Sequence, residues 1–229
     1  MRRHFAVFCL LLASISYTAD QTIKTMVEKQ LPGLVATYQQ LHAAPELAYF
    51  EKNTAAFMAE KLKNMGYQVT ERFGRYENPN QTCYGIVALM KNGAGPTVLF
   101  RADMDALPIE EKTSLPYASK VVIKNDEGEM VPVMHACGHD LHCTVLLGIA
   151  DVLRQCKSKW KGTLMLIVQP AEEVNDSGGY AMMRAGLYEK FFQPNYALAY
   201  HVNENIVTGD IQYIFGNCLA DFTDVDIIV

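Results

Sequence analysis

The sequence has no basic excess: 20 Lys and Arg stand against 25 Asp and Glu, a formal net charge of −5. Its pI is near 5.7, so no positive field exists to gather phosphates, and nucleic acid is excluded as a partner. It has no internal repeat and no low-complexity tract. A mix of 50% hydrophobic and 20% charged residues is that of ordinary globular chains, which excludes fibrous and disordered classes. There is no Cys-x-x-Cys pair, which argues against thiol redox chemistry. Six cysteines at irregular spacing in 229 residues are too sparse for a disulfide-built miniature scaffold. Beyond residue 19, no apolar run approaches the ~20 residues that a spanning helix needs. The length admits one large domain or two small ones.

What is present begins with a targeting pattern. Met1-Arg2-Arg3-His4 is basic, residues 5–15 are apolar except Ser14, and Ser16, Thr18 and Ala19 follow. That is the order of a secretory signal peptide, expected over 1–19 and implying a secreted or periplasmic protein. The competing reading is a buried N-terminal helix. Of the cysteines, Cys9 leaves with the signal. Cys143 and Cys156 read as buried apolar thiols on a helix. Cys137 remains as a candidate ligand or reactive thiol.

The periodicity predicts a helix over 22–41, with Pro32 bending it or beginning a second segment. Asn53-Thr54 reads as an N-cap for a helix through Met65, and Gly66 as its stop. Strands are predicted over 67–70, 84–90, 97–101, 163–169 and 196–201, with 163–169 all-apolar as in a buried parallel sheet and 196–201 another buried strand. Residues 91–95 form a turn, 124–129 a polar loop or hairpin tip. Helices are predicted over 139–156 and 179–185. Alternation of strands and helices gives an α/β layered domain with helices on both faces of the sheet. Residues 224–229 read as a strand just begun. His42 reads as a surface residue near a helix end.

Three apolar strands run into residues suited to metal or acid–base chemistry. Strand 97–100 leads to Asp103 and Asp105, strand 163–168 to Glu172 and Glu173, strand 196–200 to His201. Between them, at the start of the long helix, lie His135, Cys137, His139 and His142. Each segment alone has a plainer reading: a turn or cap pair for the aspartates, a solvated helix start for the glutamates, a strand-end histidine for His201. Sites in open α/β sheets form outside the carboxyl ends of strands, so the joint placement favours one converging site. Thiolate, imidazole and carboxylate are ligands for zinc and its neighbours. Cys137 sits at a helix start, where the dipole favours thiolate. Gly138 lets Cys137 and His139 face one ion. Of two adjacent glutamates, one can ligate while the other takes a proton from water.

These segments resemble the M20 metallopeptidase family, in particular its amidohydrolase branch of N-acyl-amino-acid amidohydrolases, hippurate hydrolases and auxin-conjugate hydrolases. The pieces that carry the resemblance are Leu41-His42-x-x-Pro45-Glu46-Leu47, the run from Arg101 through Pro108, and Met134-His135-Ala136-Cys137-Gly138-His139-Asp140-x-His142 with Leu146-Leu147-Gly148. Gln169-Pro170-Ala171-Glu172-Glu173, the Gly179, Met183 and Gly186 spacing, and His201-Val202 complete the set.

The resemblance implies a three-layer, zinc-exopeptidase-like α/β catalytic domain with a mixed, mostly parallel sheet, incomplete at its C-terminus. It implies two divalent metal ions, zinc or manganese first and cobalt or nickel as alternatives, held by Cys137, His139, Glu173 and His201. Glu172 is implied to be the general base acting on a metal-bridging water, and Asp105 to orient a ligand histidine. Asp103 and His142 are implied as outer or substrate-facing groups, and His135 has the weakest case. The implied reaction is hydrolysis of the amide bond of an N-acyl amino acid or small peptide conjugate. The catalytic portion is expected over 20–220, with a lid or dimerisation domain, through which a homodimer would form, beginning at 221–229. The alternative is a non-catalytic, metal-binding remnant of such an enzyme. No membrane span is expected once the signal is removed.

Overall fold

Gly162–Gln169 (β6) forms the spine of the sheet, because it alternates side chains to both faces while pairing along both edges. The five-stranded sheet has the order β1-β2-β6-β3-β7, where β1 is Gln68–Thr70, β2 Ile86–Asn92, β3 Thr97–Asp103 and β7 Tyr196–Ala199. A separate hairpin pairs β4 (Val122–Lys124) with β5 (Met130–Pro132) around the polar tip expected there. The computed structural model describes residues 2–125 and 128–216, with side chains from residue 22 onward. The strand expected over 224–229, the lid boundary at 221 and Cys218 lie outside the described residues.

β1 is antiparallel to β2 and β2 to β6, whereas β3 is parallel to both β6 and β7. Four of the five strands therefore point one way and only β2 opposes them, which is the mixed, mostly parallel sheet expected. The β2–β3 connection crosses the start of β6 at close range. A Cβ on Gly162 (φ +118°) would fall 2.1 Å from the Pro96 carbonyl oxygen, so this crossing requires glycine.

Alternation along the strands sends residues to two cores. Ile86, Ala88, Met90, Leu164, Leu166 and Val168 pack with α2 (Lys52–Asn64) and α3 (His139–Gln155). Val87, Leu89, Leu99, Met165 and Ile167 pack on the opposite face, where Met182 of α4 (Gly178–Arg184) and Leu187 of α5 (Leu187–Phe191) cover them. Each of these side chains larger than alanine contributes about 1.5–3 kcal/mol by leaving water. The helices on both faces were expected. The short α5 was not, because five residues are too few to show a periodicity.

α1 (Arg2–Ala43) runs through Pro32 without ending. Leu34 approaches Gly148 of α3, where a Cβ would sit 3.1 Å from Leu34 Cδ1, and Cys156 lies half-buried with its sulfur 3.7 Å from Met26 Sδ. Among its described side chains, Ile23, Val27, Leu31 and Val35 stay exposed.

Two further expectations are corrected. The N-cap of α2 is Glu51, not Asn53-Thr54, and no side chain within the helix caps it. Instead Glu46 reaches in from the preceding loop, its carboxylate accepting from Asn53 N–H at 3.1 Å and Thr54 N–H at 2.7 Å. Residues 196–201 are not a buried strand: β7 ends at Ala199 and all four of its residues are exposed. Among the described residues it pairs with β3 alone and no helix covers it. Gly66, at φ +84°, is the helix stop expected.

Candidate metal centre

Because β6, β3 and β7 run in one direction, whatever follows their last residues emerges at one edge. β3 delivers Asp103 as its final residue and Asp105 two positions on. β6 gives way to Pro170-Ala171 and then to Glu172 and Glu173, and β7 leads to His201. α3 begins at this edge with His139. Its N-cap, Gly138, is left-handed (φ +81°), and a Cβ there would lie 2.5 Å from Val202 Cγ2. Glycine is needed both for that backbone angle and for the approach of the His201 segment.

His139 is fully buried. Its Nδ1–H donates to Asp105 Oδ1 at 3.2 Å, and Asp105 Oδ2 accepts the Glu173 backbone N–H at 3.0 Å. One carboxylate thus orients two neighbours and leaves His139 Nε2 pointing into the site, as outer partners of ligand histidines do. His139 Nε2 and Glu173 Oε1 are both buried without a hydrogen-bond partner and lie 3.6 Å apart. Glu172 Oε2 is 4.0 Å from the same nitrogen. Cys137 Sγ lies 3.3 Å from His201 Nε2.

The ligand atoms of Cys137, His139 and His201 fall within 4.8 Å of one another, and so do those of His139, Glu172 and Glu173. Asp103, His139 and His142 meet the same distance, but two of those three are already committed. Asp103 Oδ1 accepts from His142 Nδ1 at 2.6 Å while its Oδ2 pairs with Arg101 at 2.7 Å, and His142 Nε2 accepts the Val202 N–H at 3.0 Å. In the first two groups, His139 Nε2 and Glu173 Oε1 have no hydrogen-bond partner, and Cys137 Sγ and His201 Nε2 bond each other at 3.3 Å.

The charges fit a cation. Burial would raise the Asp103 carboxyl, but the His142 bond and the Arg101 guanidinium hold it down at about 2. Burial, then the charges of Asp103 and Glu173, raise Glu172 above the usual glutamate value, which suits a proton acceptor near neutral pH. Burial would lower His139, but Asp105 and the other carboxylates bring it up to about 8. The Cys137 thiol is pushed up to about 12 by burial and then by Glu173, Glu172 and Asp103, so the helix start alone does not make it a thiolate as its position suggested. Four carboxylates, Asp103, Asp105, Glu172 and Glu173, stand around one thiol and the imidazoles of His139 and His201, a concentration of acidic groups that a divalent cation relieves. A cavity of about 410 Å³ opens beside this group, lined by Ala136, Cys137, His201, Val202, Asn203 and Glu204.

All of Cys137, His139, Glu172, Glu173, His201, Asp103 and Asp105 come together here. His142 joins them beside Asp103, its ring centroid 5.4 Å from that of His139 and 4.6 Å from that of His201, while the Tyr200 hydroxyl donates to its backbone carbonyl at 2.9 Å. His135 is buried, held down at about 4 by desolvation, and joins neither group.

His42 is a correction. It is buried, not at the surface: Nδ1 bonds Asp140 Oδ2 at 2.6 Å and Nε2 bonds Glu111 Oε1 at 3.0 Å. Its partners are remote in sequence, which is why helix position alone misplaced it. Burial would lower its pKa, but the Glu111 and Asp140 bonds and charges raise it overall. Its stabilisation is therefore complete below the unfolded value of about 6.5 and is lost as pH rises through the higher folded value. We expect His42→Gln to destabilise the metal-free chain by roughly 1.5–3 kcal/mol at pH 6, and by less at pH 9. Urea unfolding at the two pH values checks this, and an equal gap at both would refute it.

Sequence reasoning also missed Arg101, as partner of Asp103, and Glu51. The Arg101–Asp103 spacing of two places both side chains on one face of β3, a signal that was available. Glu51 gave no local signal, because its partner is 120 residues away.

Comparison with known proteins agrees with the geometry. Residues 99–216 match the model of peptidase family M20/M25/M40. A hippurate hydrolase of Campylobacter jejuni is 42% identical over 163 residues, covering 71% of this chain and 37% of that protein. An N-acyl-L-amino acid amidohydrolase of Geobacillus stearothermophilus is 32% identical over 200 residues, covering 87% and 49%. Among solved structures, the Bacillus subtilis YXEP protein, described as a dinuclear metal binding peptidase from the M20 family, superposes with a TM-score of 0.62. It shares 30% identity and is matched over 79% of this chain and 44% of that one. The chain thus spans between 37% and 49% of the length of these relatives.

Proposed function

Since the chain belongs to peptidase family M20/M25/M40, we propose that it carries the metal-holding half of a hydrolase that cleaves the amide bond of N-acyl amino acids or small peptide conjugates. The observation that carries this reading is the pair of buried, partnerless donors, His139 Nε2 and Glu173 Oε1, 3.6 Å apart and flanked by Cys137 and His201. Cys137, His139, Glu173 and His201 would hold two divalent ions, with zinc best suited to mixed sulfur, nitrogen and oxygen donors and manganese, cobalt and nickel as alternatives. Such ions supply Lewis acidity towards the amide carbonyl and ease deprotonation of water.

The remaining work belongs to side chains of this chain. Glu172, raised in pKa and part-exposed at the open side, takes a proton from water as the new C–O bond forms. It returns that proton to the amine nitrogen as the C–N bond breaks. Asp105 keeps His139 and Glu173 in register, and Asp103, paired with Arg101 and hydrogen-bonded to His142, backs the site. Relatives named hippurate hydrolase and N-acyl-L-amino acid amidohydrolase support this substrate class. The basic and then apolar residues 1–15 support export by a signal peptide. Among the described residues, no helix is long and apolar enough to cross a membrane.

The test is release of free amino acid from N-acetyl and N-benzoyl amino acids by the product of the full reading frame, loaded with Mn²⁺ or Zn²⁺. Release that a chelator stops and added metal restores is expected. No release from any acyl amino acid tried, with metal bound, would sink the hydrolase reading.

A further inference from the structure

Glu51 lies outside the ligand groups, yet it is the most enclosed acid near them, with 0% exposure. Its Oε1 accepts the Ala171 N–H at 2.6 Å. Ala171 is itself buried and left-handed, φ +46°, a conformation unfavourable for a residue with a Cβ. The other side of the same residue is also tied, its carbonyl accepting the Gly178 N–H at 3.0 Å. A Cβ on Gly178 would fall 2.0 Å from the Pro170 carbonyl oxygen, so that closure tolerates no side chain. Pro170 has no N–H to offer. Ala171 is therefore where the chain leaves β6 and turns towards Glu172 and Glu173, and Glu51 grips it from across the fold. Burial pushes the Glu51 carboxyl up to about 8, so at neutral pH it is an uncharged acceptor and avoids the penalty of an isolated buried charge.

We propose that Glu51 is a positioning residue: its carboxyl holds the left-handed Ala171 peptide and thereby aims Glu172 and Glu173 at the metal centre. This rests on reading those glutamates as base and ligand. Glu51→Gln keeps an oxygen acceptor of the same reach, whereas Glu51→Met keeps the length and loses the acceptor. Two measurements on the full chain separate them: amide hydrogen exchange at Ala171, and Co²⁺ affinity by absorbance titration. Glu51→Gln is expected to stay within about twofold of the parent in both, and Glu51→Met to speed Ala171 exchange roughly tenfold, the equivalent of one hydrogen bond. Amides of Leu164 and Leu166 should stay protected in both variants. Co²⁺ binding in Glu51→Met should weaken by roughly 10–100-fold, the range for losing an outer partner.

Unchanged exchange and affinity in Glu51→Met would overturn the proposal. So would equal losses in Glu51→Gln, or loss of protection throughout β6 in Glu51→Met, which would mark Glu51 as a general core residue. A parent chain that binds no Co²⁺ refutes the metal-centre reading instead, and Ala171 exchange still decides whether Glu51 is the clamp.

Discussion

Glu172→Gln in the metal-loaded protein is expected to lower kcat by about 10²–10⁴-fold while bound metal per chain stays near the parent level. The asymmetry follows from placement. Glu172 is the more exposed of the pair, its side chain at 38% against 21% for Glu173, and its Oε2 is the farther from His139 Nε2, 4.0 Å against 3.6 Å. Glu173 is anchored by its own backbone to Asp105, whereas Glu172 stands on the open side with a raised pKa. The carboxamide introduced by this substitution would occupy the same space but could not accept and return a proton. Steady-state kinetics on an acyl amino acid together with elemental analysis of the same sample decides the matter. A variant that loses metal and turnover together would show Glu172 to be a ligand.

Cys137→Ala and Glu173→Ala should do the reverse, lowering metal per chain first and turnover as a consequence. Removing an outer partner typically weakens metal affinity by roughly 10–100-fold, and removing a direct donor should exceed that. Each substitution also leaves a residual charge problem. Without Glu173 the thiol at Cys137 loses the neighbour that contributes most, after burial, to holding it protonated, so any compensation from a freer thiolate should be visible as partial Co²⁺ binding. Equilibrium dialysis across the three variants tests the division of roles, and equal metal loss in Glu172→Gln, Cys137→Ala and Glu173→Ala would refute it.

Much of this was legible before any coordinates. The continuous apolar run within 163–169 dictates a strand buried on both faces, and polar residues after three apolar strands imply one edge where they meet. The Asp105–His139 contact was readable only through the family resemblance. What escaped the sequence depends on distance along the chain. The apolar pattern of 196–199 says what β7 prefers to touch, but not whether a covering element lies among the described residues. His42 looked solvated because its partners are 98 and 69 residues away. The Glu46 cap on α2 escaped for a subtler reason: a cap supplied from the loop before the helix does not occupy the N-cap position where sequence rules look for it.

His142 also changes how His201 should be regarded. The neighbours of His201 on either side, Tyr200 and Val202, are both fastened to His142, one through a carbonyl and one through a ring nitrogen. An exposed side chain is thus carried on a backbone with little freedom left to lose. Arrival of an ion need not fold a loop around itself, so the entropic cost of closing the site is largely met during folding.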